Sequence, residues 1–178
     1  MDQLSLRQFK RWSQRIKIHR FHQRPPQPHK NVLRAAQAGS SKAKGKEFTS
    51  ALEACGLIDF LDAPNSEDCD EEQFNEKHKG WVSFICNHIR SNYSKEISYG
   101  IAAKLVAVFI KGYFILAGKQ GTCLAKVAHP PIDSFLLEGI DEDCGTNLSK
   151  RYKWQKLDED TYFKLLSELN KIKGAGPF

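Results

Sequence analysis

Apolar side chains recur along much of this chain every three to four residues, the spacing of one face of an α-helix. Leu6, Phe9, Trp12 and Ile16 follow it behind Ser5 and Gln8, which stand in capping-box order, and predict an amphipathic helix to about residue 20. Phe48, Leu52, Cys55, Leu57 and Leu61 predict a short helix ending near Gly56. Trp81, Val82, Ile85, Cys86 and Ile89 predict a longer one reaching about Ser91. From Ile101 to Leu116 the chain is apolar nearly all round, interrupted by Lys104 and Lys111, as expected of the central helix of a bundle. Pro130 and Pro131 are expected to open the first turn of the next element, with Ile132, Phe135, Leu136, Leu137 and Ile140 on its apolar side. Asp158 caps a last helix whose core face is Tyr162, Leu165, Leu166, Leu169 and Ile172 and which stops at Gly174. Neither βαβ alternation nor a Gly-rich phosphate loop is present. The predicted fold class is therefore all-α: a compact helical bundle over residues 47–178, preceded by a basic N-terminal helix and arm over 1–46.

Charge sharpens that division. Residues 1–46 carry twelve Lys and Arg against one acid, Asp2, whereas the other residues carry fifteen Lys and Arg against twenty acids. A basic arm on a mildly acidic body is the footprint of a polyanion-binding protein, so nucleic acid, and DNA in particular, is the expected partner. Arg7, Lys10, Arg11 and Arg15, between the apolar positions of the first helix, are the candidate phosphate contacts. The Pro-rich stretch Arg24 to His29 ends that helix, and the small, lysine-bearing run 38–46 reads as a linker. Arg24 and His29 have a spacing known from some ribonucleases, but the prolines between them prevent the helix that would bring them together. The acidic run Ser66 to Glu76 reads as a solvated loop rather than a calcium loop, which needs a fixed ligand order and a turn Gly. A protein partner for this loop is the alternative to nucleic acid.

The five cysteines are odd in number, widely spaced and form no CxxC pair. With no apolar leader at the N-terminus, the expectation is reduced thiols in an intracellular compartment. Cys86 and His88 lack a second ligand pair, so no metal is expected, and nothing calls for a cofactor. Two lysines inside the longest apolar segment argue against a membrane span.

Those two lysines are the candidate chemistry. Seven residues apart, Lys104 and Lys111 project from one helical face, with the small residues Gly100, Ala103 and Ala107 on or beside it. Ammonium groups on an apolar helix need a carboxylate or a wet cleft, and Asp133 or another acid is the expected partner. The alternative is that the lysines snorkel to the surface. A desolvated lysine beside a second cation loses basicity and becomes a nucleophile able to form a Schiff base, with a nearby carboxylate moving protons. His129, just ahead of Pro130 and Pro131, is either a structural residue or a base in its own right.

Gly100-Ile101-Ala102-Ala103-Lys104 resembles the hairpin and helix start of the helix-hairpin-helix DNA glycosylases, and Pro131-Ile132-Asp133 resembles that family's downstream proline-valine-aspartate element. The resemblance covers about forty residues. It implies Lys104 as the nucleophile at the sugar carbon, Asp133 as its assisting acid or base, hairpin amides such as that of Gly100 on phosphate, and a target base flipped from the stack. Ala102 stands where the second hairpin glycine belongs, Tyr99 where proline is usual and Phe135 where many members have His. The order Gly100 to Lys111, His129 to Asp133, Trp154 and Tyr162 also resembles a recurring pattern of small bacterial and phage-type helical proteins without an assigned activity.

Overall fold

The computed structural model describes residues 45–175, their side chains as far as Ile172; the arm, with Arg7, Lys10, Arg11 and Arg15, lies outside the described residues. Eight α-helices pack together, with no strand among the described residues, so the body is an all-α bundle.

Helix α1 (Gly45–Ala54) and helix α2 (Leu57–Asp62) are separated by Gly56, whose φ of 79° is left-handed and ends the first helix where the sequence predicts. Phe48, Ala51, Leu52, Leu57 and Leu61 of this pair are buried. A 3₁₀ turn, Ser66–Asp68, leads into the long helix α3 (Glu71–Tyr93). Here the structure corrects the expected acidic loop. Asp70 is an N-cap whose side chain accepts from the Gln73 N–H at 2.9 Å, and Glu71 and Glu72 lie in the first turn, where the positive end of the helix favours them. The core stripe of α3 starts seven residues earlier than Trp81, at Phe74, and includes His78.

Ser98 caps α4 (Tyr99–Ile110), accepting from the Ile101 N–H at 3.2 Å. Ala102, Ala103, Val106, Phe109 and Ile110 are sealed from solvent, and α4 packs against α3, the C-terminal helix and the turn at Trp154–Lys156, the central position predicted for it. Beyond Ile110 the winding loosens to the π type over Lys111–Lys119, closing at Gly118 with φ 105°. Phe114 there is buried and Leu116 is half exposed. The combined helix, Tyr99–Lys119, is long and apolar enough to cross a membrane by length and composition, but more than half of it is buried under its neighbours, as in a core helix.

Helix α5 (Cys123–Val127) is followed by a connecting segment and α6 (Ser134–Cys144). Pro130 and Pro131 precede this helix rather than opening its first turn, because Asp133 takes the N-cap position. Asp141 fastens α6 to α7 (Leu148–Arg151) by accepting from the N–H and hydroxyl of Ser149, the hydroxyl of Thr146 and the N–H of Leu148. Against a desolvation that raises it, these four donors hold its carboxyl well below the usual range. The 3₁₀ turn Trp154–Lys156 leads to α8 (Glu159–Ala175), capped by Asp158 and continuing one residue past the expected stop at Gly174.

Candidate functional site

Lys104 lies in the second turn of α4, 7% exposed, and Asp133 stands 29 residues later at the head of α6, 9% exposed. The fold brings them together: Lys104 Nζ is 3.1 Å from Asp133 Oδ2, while Asp133 Oδ1 accepts from the Leu136 N–H at 3.0 Å. One carboxylate thus caps a helix with one oxygen and balances a buried ammonium with the other. Such a pair is tolerated inside an apolar bundle because both charges are engaged. The indole of Trp154 completes the site, its ring centre 4.6 Å from Lys104 Nζ.

Gly100 explains how the indole arrives. Its N–H donates to the Leu157 carbonyl at 3.0 Å, and a Cβ built on it would stand 2.1 Å from the Trp154 carbonyl oxygen. Only glycine lets the 154–157 segment lie this close to the first turn of α4, one turn before Lys104. The Gly100 amide that the glycosylase resemblance assigns to a phosphate is therefore engaged inside the protein. Trp154 lies in a 3₁₀ turn as the cover of the lysine.

Lys111 opens the π-wound segment and is only partly exposed; burial pulls its ammonium down to about 7. Lys104 is thus paired with a carboxylate carried by α6, and it is burial that weakens the basicity of Lys111.

His129 belongs to a second cluster. Its Nε2 is 2.8 Å from Asn75 Oδ1, which only accepts, and its Nδ1 is 3.2 Å from the Tyr162 hydroxyl. The ring is therefore the Nε2–H tautomer, donating to α3 and accepting from α8, and burial lowers its pKa to about 4. His78 packs on it with ring centres 4.4 Å apart and stacks on Tyr162 at 5.4 Å. Among the described residues neither nitrogen of His78 has a hydrogen-bond partner, nor has the Tyr99 hydroxyl. Burial first, and the neighbouring His129 second, drive the His78 pKa well below the usual histidine value. The sequence reading missed His78; its place between Phe74 and Trp81, four and three residues away on one helical stripe, was the available signal.

All five cysteines are free thiols, and burial pushes Cys86 up to about 11, far from a reactive thiolate. Among the described residues no group of three or more His, Cys, Asp or Glu is arranged to hold a metal ion. No protein-family model, curated protein or solved structure matches the chain.

Proposed function

We propose that this is a DNA-binding helical protein whose Lys104 and Asp133 form an imine-forming centre of the glycosylase and lyase type. The observation that carries the reading is the 3.1 Å contact between Lys104 Nζ and Asp133 Oδ2, from two elements far apart in sequence. Transfer of one proton across that contact converts the ammonium to a free amine and the carboxylate to a carboxylic acid. The amine then adds to the C1′ aldehyde of an abasic deoxyribose and loses water to give the Schiff base, with the acid returning its proton to the departing oxygen. Trp154 covers the nitrogen, so entry of a sugar requires the 154–156 turn to swing aside; an indole beside the opening also offers a stacking face for an extruded base. The basic arm supplies sequence-independent attraction to the phosphate backbone.

The test is borohydride reduction of the full chain with abasic-site DNA. A covalent adduct is expected, lost in Lys104→Gln and retained in Lys111→Gln. The second substitution matters because Lys111 is the lysine whose basicity burial has lowered. An adduct that follows Lys111 refutes the assignment to Lys104.

One observation favours a second reading, a non-enzymatic interaction module. Lys104 and Asp133 are both nearly sealed, and both carboxylate oxygens are engaged, as in a clamp between α4 and α6. On that reading no adduct forms with any damaged oligonucleotide, and Lys104→Gln changes stability without changing DNA affinity.

A further inference from the structure

Between α5 and α6 the chain passes, outside any helix or strand, through His129, Pro130, Pro131 and Ile132 to reach Asp133. Among the described residues no backbone–backbone hydrogen bond ties residues 129–132 to the rest of the protein; the nearest are made by the Ala128 N–H behind them and the Asp133 carbonyl ahead. What fixes the segment is side chains. Ile132 is buried, and His129 makes two hydrogen bonds in opposite directions, to Asn75 on α3 and to Tyr162 on α8. The two prolines have fixed φ and little slack, so where His129 is held largely determines where the chain delivers Asp133, four residues on.

We infer that His129 is a positioning residue for Asp133: by bridging Asn75 and Tyr162 as a neutral imidazole, it anchors the Pro-Pro strut that carries the carboxylate to Lys104. The surroundings are built to hold the ring in that state. Phe74 meets it edge-on with ring centres 5.0 Å apart, Phe163 edge-on at 5.8 Å, and His78 lies at 4.4 Å. The titratable neighbours in this cluster are His78 from α3, Tyr99 from α4 and Tyr162 from α8. The charged groups nearby, Lys79 and Glu159, pair with each other at 3.9 Å, and Lys79 also lies over the Phe163 ring. Among the described residues no carboxylate hydrogen-bonds to either imidazole, and burial disfavours the imidazolium that would break the bridge.

This inference concerns how the ion pair is assembled, and its test reads the pair directly, so its failure is distinct from failure of the catalytic reading. The full chain is labelled with ¹⁵N-lysine, and the Lys104 ammonium resonance is followed, with Asp133→Asn marking its position when unpaired. His129→Leu removes both bridges and is expected to move the resonance to the Asp133→Asn position while far-ultraviolet circular dichroism stays helical. Tyr162→Phe combined with Asn75→Ala keeps the imidazole but removes both its partners, and is expected to move the resonance most of the way. His88→Leu breaks a different histidine contact, to Ser50 at 3.2 Å, and is expected to leave the resonance unmoved. A folded His129→Leu protein with the wild-type Lys104 resonance overturns the inference. If His129→Leu does not fold, an unmoved resonance in the Tyr162→Phe, Asn75→Ala protein overturns it equally.

Discussion

Two buried clusters of ionisable groups lie in this bundle and solve the same problem in opposite ways. At Lys104 and Asp133 the charges are kept and matched, with a helix N–H and an indole face taking up the remaining valences. At His78, His129, Tyr99 and Tyr162 charge is avoided: burial favours the neutral imidazoles, and one of them has no hydrogen-bond partner among the described residues. The low dielectric of the interior explains both outcomes, since a group there must be paired or must neutralise. The first cluster is consequently sensitive to loss of a partner, the second to gain of a proton.

The largest effect is expected from removing a partner. Lys104→Met leaves Asp133 as an uncompensated buried anion and should cost about 3–5 kcal/mol in urea unfolding of the full chain. Adding Asp133→Asn, which still caps α6, should restore most of that loss. If Lys104→Met alone is near neutral, the charges at this site are not matched in the way described.

A slightly smaller effect is expected from pH. His129 has a pKa of about 4 in the fold and about 6.5 when unfolded, so below pH 6.5 the unfolded chain takes up protons that the native one refuses. Stability from this group is fully present above pH 6.5 and falls by about 3 kcal/mol as pH drops to about 4, and His78 acts in the same direction. Denaturation midpoints measured every half pH unit would show the decline beginning well above the carboxylate range. A flat profile between pH 6.5 and 5 would contradict the neutral cluster.

Much of the fold was legible because helix stripes and caps are local. Asp158 and Gly56 mark ends that depend only on nearby backbone, and the central place of α4 follows from its apolar girth. The acidic run was misread because composition alone does not distinguish a solvated loop from a helix start, where Asp70 as cap and Glu71 and Glu72 in the first turn are equally at home. At the site, the lysine and aspartate were visible as residue types in the sequence. Trp154 over the lysine and the His129 bridge were not, because each depends on contacts between elements that no spacing encodes.

Gly100→Ala tests the link between those levels and is expected to have the smallest of these effects. The added methyl collides with the Trp154 carbonyl, and an overpacked contact of this kind costs about 1–3 kcal/mol. Because that contact sets the indole over Lys104, the substitution should also expose Trp154 to fluorescence quenchers, with Trp154→Phe identifying its share of the signal. Unchanged quenching would separate the glycine from the cover.

The change of winding at Lys111 divides one apparently continuous rod into two mechanical grades. Over Tyr99–Ile110 every turn is α-wound and nearly all side chains are sealed; over Lys111–Lys119 the turns are wider and much of the surface faces water. Amide hydrogens should therefore exchange with deuterium by two regimes along a single helix, slowly and only with global opening before Ile110, and rapidly through local opening after it. The boundary falls at Lys111, so the lysine with weakened basicity is also where the rigid half of the rod ends.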